Sequence, residues 1–374
     1  MASSLNKQKV ALGLSGGVDS TAAALLLLHE NFEVVGVHLD VLGNNEESKN
    51  NATELAKTLG IELVCVDASQ DFAEIVISDF CDEYMRGRTP NPCILCNPTV
   101  KFKYLQKIAD EVGAYYIATG HYANIYYDEA ENCHFVGKAK NTKKDQSYML
   151  YRLNGDVLPR LKFPLGNFET KEDVRDFVGE KGLKNAKQKD SQEICFIPKD
   201  MHYVDFLLTQ GYQINKGLFV NVAGETLGTH KGMPNYTIGQ RKNLGITFGK
   251  PMFVVELDGI NNKVTLGEHD KLMKKHAILV SNCFTASSAS LSIASMPSAD
   301  SSIASNCMIP PKYIDKTIQA KVRYAAAPAN ATLEQIDENT VCAVFETPQR
   351  AITPGQSVVF YDGDKVIGGG IVNG

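Results

Sequence analysis

The sequence predicts an α/β protein. A doubly wound, parallel-sheet, Rossmann-like N-terminal domain is followed by a small, mostly β central module and a C-terminal β-barrel. Three observations carry this reading. Short apolar strands alternate with helical segments through residue 119, and a glycine turn joins the first strand to the first helix. Beyond residue 200 the rhythm gives way to short β segments punctuated by turn dipeptides. The expected domains are 1–200, 201–276 and 277–374, the last carrying a Ser/Ala-rich insertion at 284–305.

Element by element, Val10, Ala11 and Leu12 form a buried strand, and the apolar run from Thr21 opens the first helix. Residues 32–40 read as the second strand, 50–59 as a helix, 61–67 as the third strand and 72–85 as a helix with an acidic exposed face. Residues 102–112 are helical again and 115–119 form a strand, so Gly120 and His121 fall at a strand end, where sites in this architecture lie. From 217 to 266 glycines and turns mark the small β module. The segments 317–324, 331–336, 341–346, 357–361 and 366–372, with turns at Pro354-Gly355 and Asp362-Gly363, read as a barrel. Residues 284–305 hold nine Ser and five Ala among 22 residues, too little large apolar surface for a core, and read as a flexible insertion.

The turn Gly13, Leu14, Ser15, Gly16, Gly17, Val18, Asp19, Ser20 is a phosphate cradle by its chemistry. Free backbone N–H groups at a helix start, together with the helix dipole, favour an anion there. Gly16 and Gly17 allow close backbone approach, Ser15 and Ser20 offer hydroxyl donors, and Asp19 suits the first helical turn or a phosphate-bridging Mg²⁺. The pattern is neither Gly-x-x-x-x-Gly-Lys-[Ser/Thr] nor Gly-x-Gly-x-x-Gly.

Bulk properties narrow the classes. The 374 residues, 44% hydrophobic and 22% charged, are ordinary for a soluble chain with an ample core. No run is long enough to span a membrane, and the first ten residues lack a signal-peptide core. Nine irregularly spaced cysteines then read as reduced thiols of a cytoplasmic protein. A net charge of −5 does not announce a nucleic-acid binder, so RNA contacts fall to local basic patches, of which Lys181, Lys184, Lys187 and Lys189 are one.

The second strong feature is GRTPNPCILCNP at 87–98. Its prolines and asparagines predict a non-helical loop between two helices, with Cys93 and Cys96 spaced for metal ligation or a redox dithiol. Arg86, Arg88, Lys101 and Lys103 are expected to lower the thiol pKa. A third cysteine, Cys195, sits in DSQEICFIP at 190–198.

Together with ATGHYA at 118–123, KDQSYML at 144–150, YTIGQRKNLGI at 236–246 and PQRAITPGQSVVFYDGD at 348–364, these motifs run in order along nearly the whole chain. The set resembles the bacterial tRNA-specific 2-thiouridylases, of the pyrophosphate-loop ATP pyrophosphatase superfamily. The resemblance implies an ATP pyrophosphatase-type fold and ATP-dependent 2-thiolation of the tRNA wobble uridine. ATP on residues 13–20, contacted also by Leu39 and Gly120, adenylates uracil O2 and makes AMP the leaving group. Cys195 carries a persulfide, and Cys96 either releases its sulfur or resolves the Cys195 adduct through a disulfide, after which a reductant restores the thiols. Asn91, Pro92, Cys93, His121, Lys144, Asp145, Gln146, Arg323, Tyr324 and Gln356 match tRNA-contacting positions. A cysteine desulfurase or a relay protein supplies the sulfur.

Many relatives carry Asp where this chain has Cys93, so a general-base role does not transfer to the thiol. Cys93, Cys96 and Cys195 offer an alternative route through a [4Fe–4S] cluster with one open iron. Two more distant readings are a synthetase acting on a small carboxylate, which would not need Cys96 or Cys195, and a tRNA-binding protein without catalysis, which would tolerate damage to the loop or the thiols.

Overall fold

The computed structural model describes residues 5–43, 45–153, 155–187, 194–285 and 308–373. Most of the expected insertion, Lys189 of the lysine series and residues 190–193 of the DSQEICFIP motif lie outside the described residues.

The first half of the chain runs through β1 (Asn6–Gly13), β2 (Glu33–Asp40), β3 (Glu62–Asp67), β4 (Ala114–Ala118), the hairpin β5 (Asn124–Asp128) and β6 (Cys133–Gly137), and β7 (Leu161–Lys162). β1–β4 and β7 form one parallel sheet in the order β3-β2-β1-β4-β7. The order reverses at β1, the topological switch point that opens a crevice at the carboxyl ends of the strands. Val10, Ala11 and Leu12 are wholly buried because helices cover both faces, which is why β1 reads as an unbroken apolar run. The helix Val18–His29 follows β1, and Glu46–Leu59 follows β2, beginning earlier than expected because Asn45 accepts a hydrogen bond from Ser48 N at 3.1 Å as its N-cap.

The expectation of a non-helical loop across 87–98 is corrected. Pro92–Cys96 is helical with Pro92 in its first turn, where proline's missing N–H and fixed φ favour helix. The backbone then widens into a π turn at Asn97–Lys101 around Pro98, which has no N–H for a regular bond, and continues as the helix Phe102–Glu111. Cys93 and Cys96 therefore ride on a helix, and only the residues before Pro92 form a loop.

The central module holds β8 (Gly217–Asn221), β9 (Thr226–His230), β10 (Phe253–Asp258) and β11 (Lys263–Gly267) in the order β10-β11-β8-β9, over a core that includes Phe219, Tyr236, Val254 and Leu266. The C-terminal barrel comprises β12 (Met273–Phe284), β13 (Ile318–Lys321), β14 (Ala329–Gln335), β15 (Val341–Arg350), β16 (Ser357–Asp362) and β17 (Lys365–Val372). β12 pairs with both β15 and β17 and closes the ring, which removes its edges. The β5–β6 hairpin extends this sheet through Gly137 opposite Lys365.

All three modules meet at Arg86–Pro92. A Cβ on Gly259 would lie 2.4 Å from Arg86 O, so the central module presses directly on this stretch. From the barrel side, Thr89 N donates to Pro354 O at 2.8 Å and Gln356 Nε2 donates to Thr89 O at 2.7 Å.

Candidate active site

The carboxyl ends of β1 and β2 and the start of the helix Val18–His29 open onto a cleft of about 580 Å³. Its walls include Ser15, Asp19, Ser20, Leu39, Gly120 and His121 at one end, and Pro92, Cys93, Cys96, Lys101 and Cys195 at the other. One cavity therefore joins the glycine turn to all three cysteines singled out from the sequence.

The turn holds its own shape. Gly16 has φ +79°, and a Cβ there would fall 2.8 Å from that of Asn51, so both conformation and space demand glycine. Ser20 Oγ donates to Gly17 O at 3.0 Å and accepts from Ser15 N at 3.3 Å, so its hydroxyl braces the loop. Gly120 packs on the same turn: a Cβ there would lie 2.8 Å from Asp19 C. Leu39 lines the cleft at the end of β2.

Three residues at this end carry no local signal in the sequence. Lys171, at the start of the helix Lys171–Glu180, places Nζ 2.5 Å from Asp19 Oδ1, which also accepts from Tyr122 OH at 2.8 Å. Asn185 donates to Gly16 O at 3.1 Å. His38, buried in the cleft wall, sets Nδ1 3.4 Å from Leu14 O, while its Nε2 has no hydrogen-bond partner among the described residues. These contacts are tertiary; only an amphipathic helix at 171–180 could have drawn attention to them.

At the sulfur end, Phe196 wedges into a cluster with Phe72, Phe80 and Phe206, at ring separations of 5.7, 5.1 and 5.4 Å. Cys96 packs against the same cluster, so one apolar body fixes both sulfur-bearing segments. The expected lowering of the thiol pKa is overturned. Burial pushes Cys96 up, with Lys101 only partly opposing it, and Cys195, although exposed as a residue, is pushed up to about 11 by the protein crowding its sulfur, reinforced by Cys96 and Cys93. The other nearby cations are engaged elsewhere. Arg88 pairs with Glu83 at 2.6 Å, Arg86 with Glu83 at 3.5 Å and Lys103 with Asp71 at 3.2 Å. Every described cysteine is a free thiol.

His121 Nδ1 lies 2.6 Å from Thr119 Oγ1, and its ring stacks on Phe102 at 5.9 Å. Desolvation, with Lys101 adding to it, holds its pKa well below the usual histidine value, which favours the neutral imidazole.

The remaining sequence-selected residues serve as braces. Asn91 Nδ2 lies 3.4 Å from Met149 Sδ, and Pro92 is buried. Asp145 is buried and accepts from Ala139 N at 3.0 Å and Ser147 Oγ at 2.9 Å. Gln146 lines the cleft and accepts from Tyr122 N at 2.9 Å, while the neighbouring Lys144 is half-buried. In the barrel, Arg323 donates to Arg350 O at 3.2 Å and Tyr324 packs near Tyr148. Among the described residues, no group of three or more Cys, His, Asp or Glu side chains is arranged to hold a metal ion, and no helix is long and apolar enough to cross a membrane.

Three family models match the chain in sequence order. They are a tRNA methyl transferase HUP domain over residues 8–199, a tRNA methyl transferase PRC-barrel domain over 205–268 and an aminomethyltransferase beta-barrel domain over 305–372. The chain is 40% identical over 380 residues to the tRNA-specific 2-thiouridylase MnmA of Clostridioides difficile, covering 98% of each chain. It is 41% identical over 378 residues to the tRNA-specific 2-thiouridylase MnmA 2 of Caldanaerobacter subterraneus subsp. tengcongensis, covering 97% of each. A solved U34-tRNA thiolase, NcsA from Methanococcus maripaludis with its [4Fe-4S] cluster, overlaps with a TM-score of 0.34 and 22% identity over 51% of this chain and 63% of that one. That likeness is too slight to carry an argument.

Proposed function

The chain belongs to the family of tRNA-specific 2-thiouridylases, and from that premise we infer the chemistry its cleft performs. It is an ATP-using tRNA sulfurtransferase that thiolates uridine. The methyl transferase wording of two domain descriptions is outweighed by whole-chain relatives named for thiolation, and thiols beside an anion-binding turn suit sulfur transfer.

The observation that carries the mechanism is the single cleft lined by both the turn and the cysteines. The triphosphate sits on the N–H groups of the turn at Gly16–Ser20, with Asp19 as the carboxylate suited to Mg²⁺. Uracil O2 of the wobble uridine attacks the α-phosphorus, and pyrophosphate leaves with the electron pair of the broken P–O bond. The terminal sulfur of a Cys195 persulfide then attacks C2 and expels AMP. Cys96 thiolate attacks the Cys195 sulfur, leaving the terminal sulfur on C2 and forming a Cys96–Cys195 disulfide, which a two-electron reductant reopens. In the other order, Cys96 attacks first and the released hydrosulfide attacks C2. Neutral His121 is placed to hydrogen-bond the base or nucleotide without adding charge.

Asn91, Pro92, Cys93, Lys144, Asp145, Gln146, Arg323, Tyr324 and Gln356 would frame the tRNA around this cleft, several of them by bracing its walls. Sulfur would come from a cysteine desulfurase or relay protein, in the cytoplasm. The alternative route through a [4Fe–4S] cluster would draw on Cys93, Cys96 and Cys195, which line the same cleft.

The test is a reconstituted reaction with ATP, Mg²⁺, substrate tRNA and a persulfide donor, carried out on iron-free protein and read by nucleoside mass spectrometry. Equimolar 2-thiouridine, AMP and pyrophosphate is the expected result. Product that appears only after iron and sulfide are reinstated would overturn the persulfide route.

A further inference from the structure

Resting on the reading that ATP occupies the turn, we propose that Lys171 is a phosphate-binding residue. Its ammonium is held on Asp19 in the free enzyme and moves onto the β and γ phosphates when ATP enters.

Lys171 is 7% exposed, an unusual position for lysine, whose compact and strongly hydrated charge is costly to bury. The helix it begins gives no reason for it. The N-terminal turn of a helix favours anions, and Glu172 and Asp173 already occupy it. Thr170 and Asp173 complete a reciprocal cap, so helix initiation does not need the lysine either. The dipole in fact opposes a cation at this position.

The reason therefore lies in what the ammonium faces. Its Nζ is 2.5 Å from Asp19 Oδ1 and stands over the Tyr122 ring at 5.6 Å. Asp19 belongs to the first turn after the glycines, lines the cleft and leaves about a third of its side chain exposed. Lys171 stands directly behind it, one carboxylate away from the anion site. Val174 and Val178 pack with Val18 and Ala22, which locks the lysine-bearing helix to the phosphate-bearing one. Asn185, further along the same segment, is bonded to Gly16 O. The segment thus touches the turn at Asp19 and Gly16 and carries a cation to it.

A lysine is suited to this exchange because its four-carbon stem rotates freely and its three N–H donors have no fixed plane. Transfer to the triphosphate leaves Asp19 free for other partners. It also places positive charge where the departing pyrophosphate gains negative charge, the arrangement that stabilises a transition state most. A purely structural lysine would instead stay on Asp19 and act only by keeping the turn folded.

The two roles separate in equilibrium binding to the full-length chain, measured by calorimetry with EDTA present so that metal coordination by Asp19 plays no part. For Lys171→Met, pyrophosphate and ATP should each bind about tenfold more weakly, as expected for loss of one charge-assisted contact, while AMP binding changes less than about twofold. Lys171→Arg should retain most of the pyrophosphate affinity. Asp19→Asn, which removes the ammonium's carboxylate partner, should bind pyrophosphate more tightly than wild type, and the double variant should match Lys171→Met. Equal pyrophosphate binding by wild type and Lys171→Met would overturn the proposal. So would weakening by Asp19→Asn equal to that by Lys171→Met, or parallel loss of AMP binding, the mark of a collapsed turn. If wild type binds neither ATP nor pyrophosphate even with Mg²⁺ restored, it is the underlying ATP reading that fails.

Discussion

At the phosphate end of the cleft, consecutive residues hold one another. Ser15, Gly17 and Ser20 are hydrogen-bonded within the turn, and Gly16 takes the backbone conformation the turn requires. At the sulfur end the partners lie far apart in sequence, Cys96 on a proline-started helix and Cys195 on a segment anchored by Phe196. The first end is built to receive an anion as it stands. The second favours protonated thiols, with Cys96 shifted upward and Cys195 raised to about 11. On the proposed mechanism, the contrast separates a preorganised binding site from a reactive pair kept quiet until sulfur arrives, since a persulfide is a different nucleophile from the thiol that carries it.

The sharpest way to break this division of labour is to remove the sulfur end alone. Cys195→Ser and Cys96→Ser should each lower 2-thiouridine formation by at least about a thousandfold, because each removes a covalent participant. Nucleotide affinity should stay within about twofold of wild type. Nucleoside mass spectrometry beside ATP calorimetry checks both halves, and wild-type thiolation by either variant would contradict the cysteine roles.

The quiet state of the thiols gives the next largest effect. With a pKa near 11, Cys195 would be thiolate at roughly one part in ten thousand at pH 7, because desolvation of its sulfur disfavours the charged form. Alkylation of Cys195 in the free enzyme, followed by peptide mass spectrometry, should therefore rise about a hundredfold between pH 7 and pH 9 without levelling. A plateau below pH 8 would mean an activated thiol and would erase the contrast between the two ends.

A smaller effect comes from disturbing the phosphate end. Gly16→Ala forces a side chain into a left-handed backbone position and against Asn51, a strain of about 1–3 kcal/mol. ATP should bind about tenfold or more weakly, while the reactivity of Cys195 toward an alkylating reagent stays the same. The smallest change is expected for Gln356→Ala, which removes one brace between the barrel and the loop that precedes the helix Pro92–Cys96. Denaturant unfolding should register a loss of about 1 kcal/mol.

The same contrast explains what the sequence made legible. The glycine turn, the parallel sheet and the barrel are local patterns, and their periodicities and turn residues point directly to the observed elements. The helix Pro92–Cys96 escaped because proline breaks helices in their interior yet favours their first turn, and position within an element is what a sequence hides. The sign of the thiol pKa shift was misjudged for a related reason. Arg86, Arg88 and Lys103 are near the cysteines in sequence but engaged with Glu83 and Asp71 in space, which leaves burial to dominate. Lys171 and Asn185 reach the glycine turn, and His38 the cleft wall, through tertiary packing alone.

On the proposed mechanism, ATP activates the very oxygen that sulfur replaces. A substrate tRNA carrying oxygen-18 at O2 of the wobble uracil tests this directly. If the uracil oxygen attacks the α-phosphorus and leaves with AMP, each 2-thiouridine formed should be matched by one labelled AMP. Unlabelled AMP alongside full thiolation would mean that ATP is cleaved by water, and the two ends of the cleft would not act on one atom.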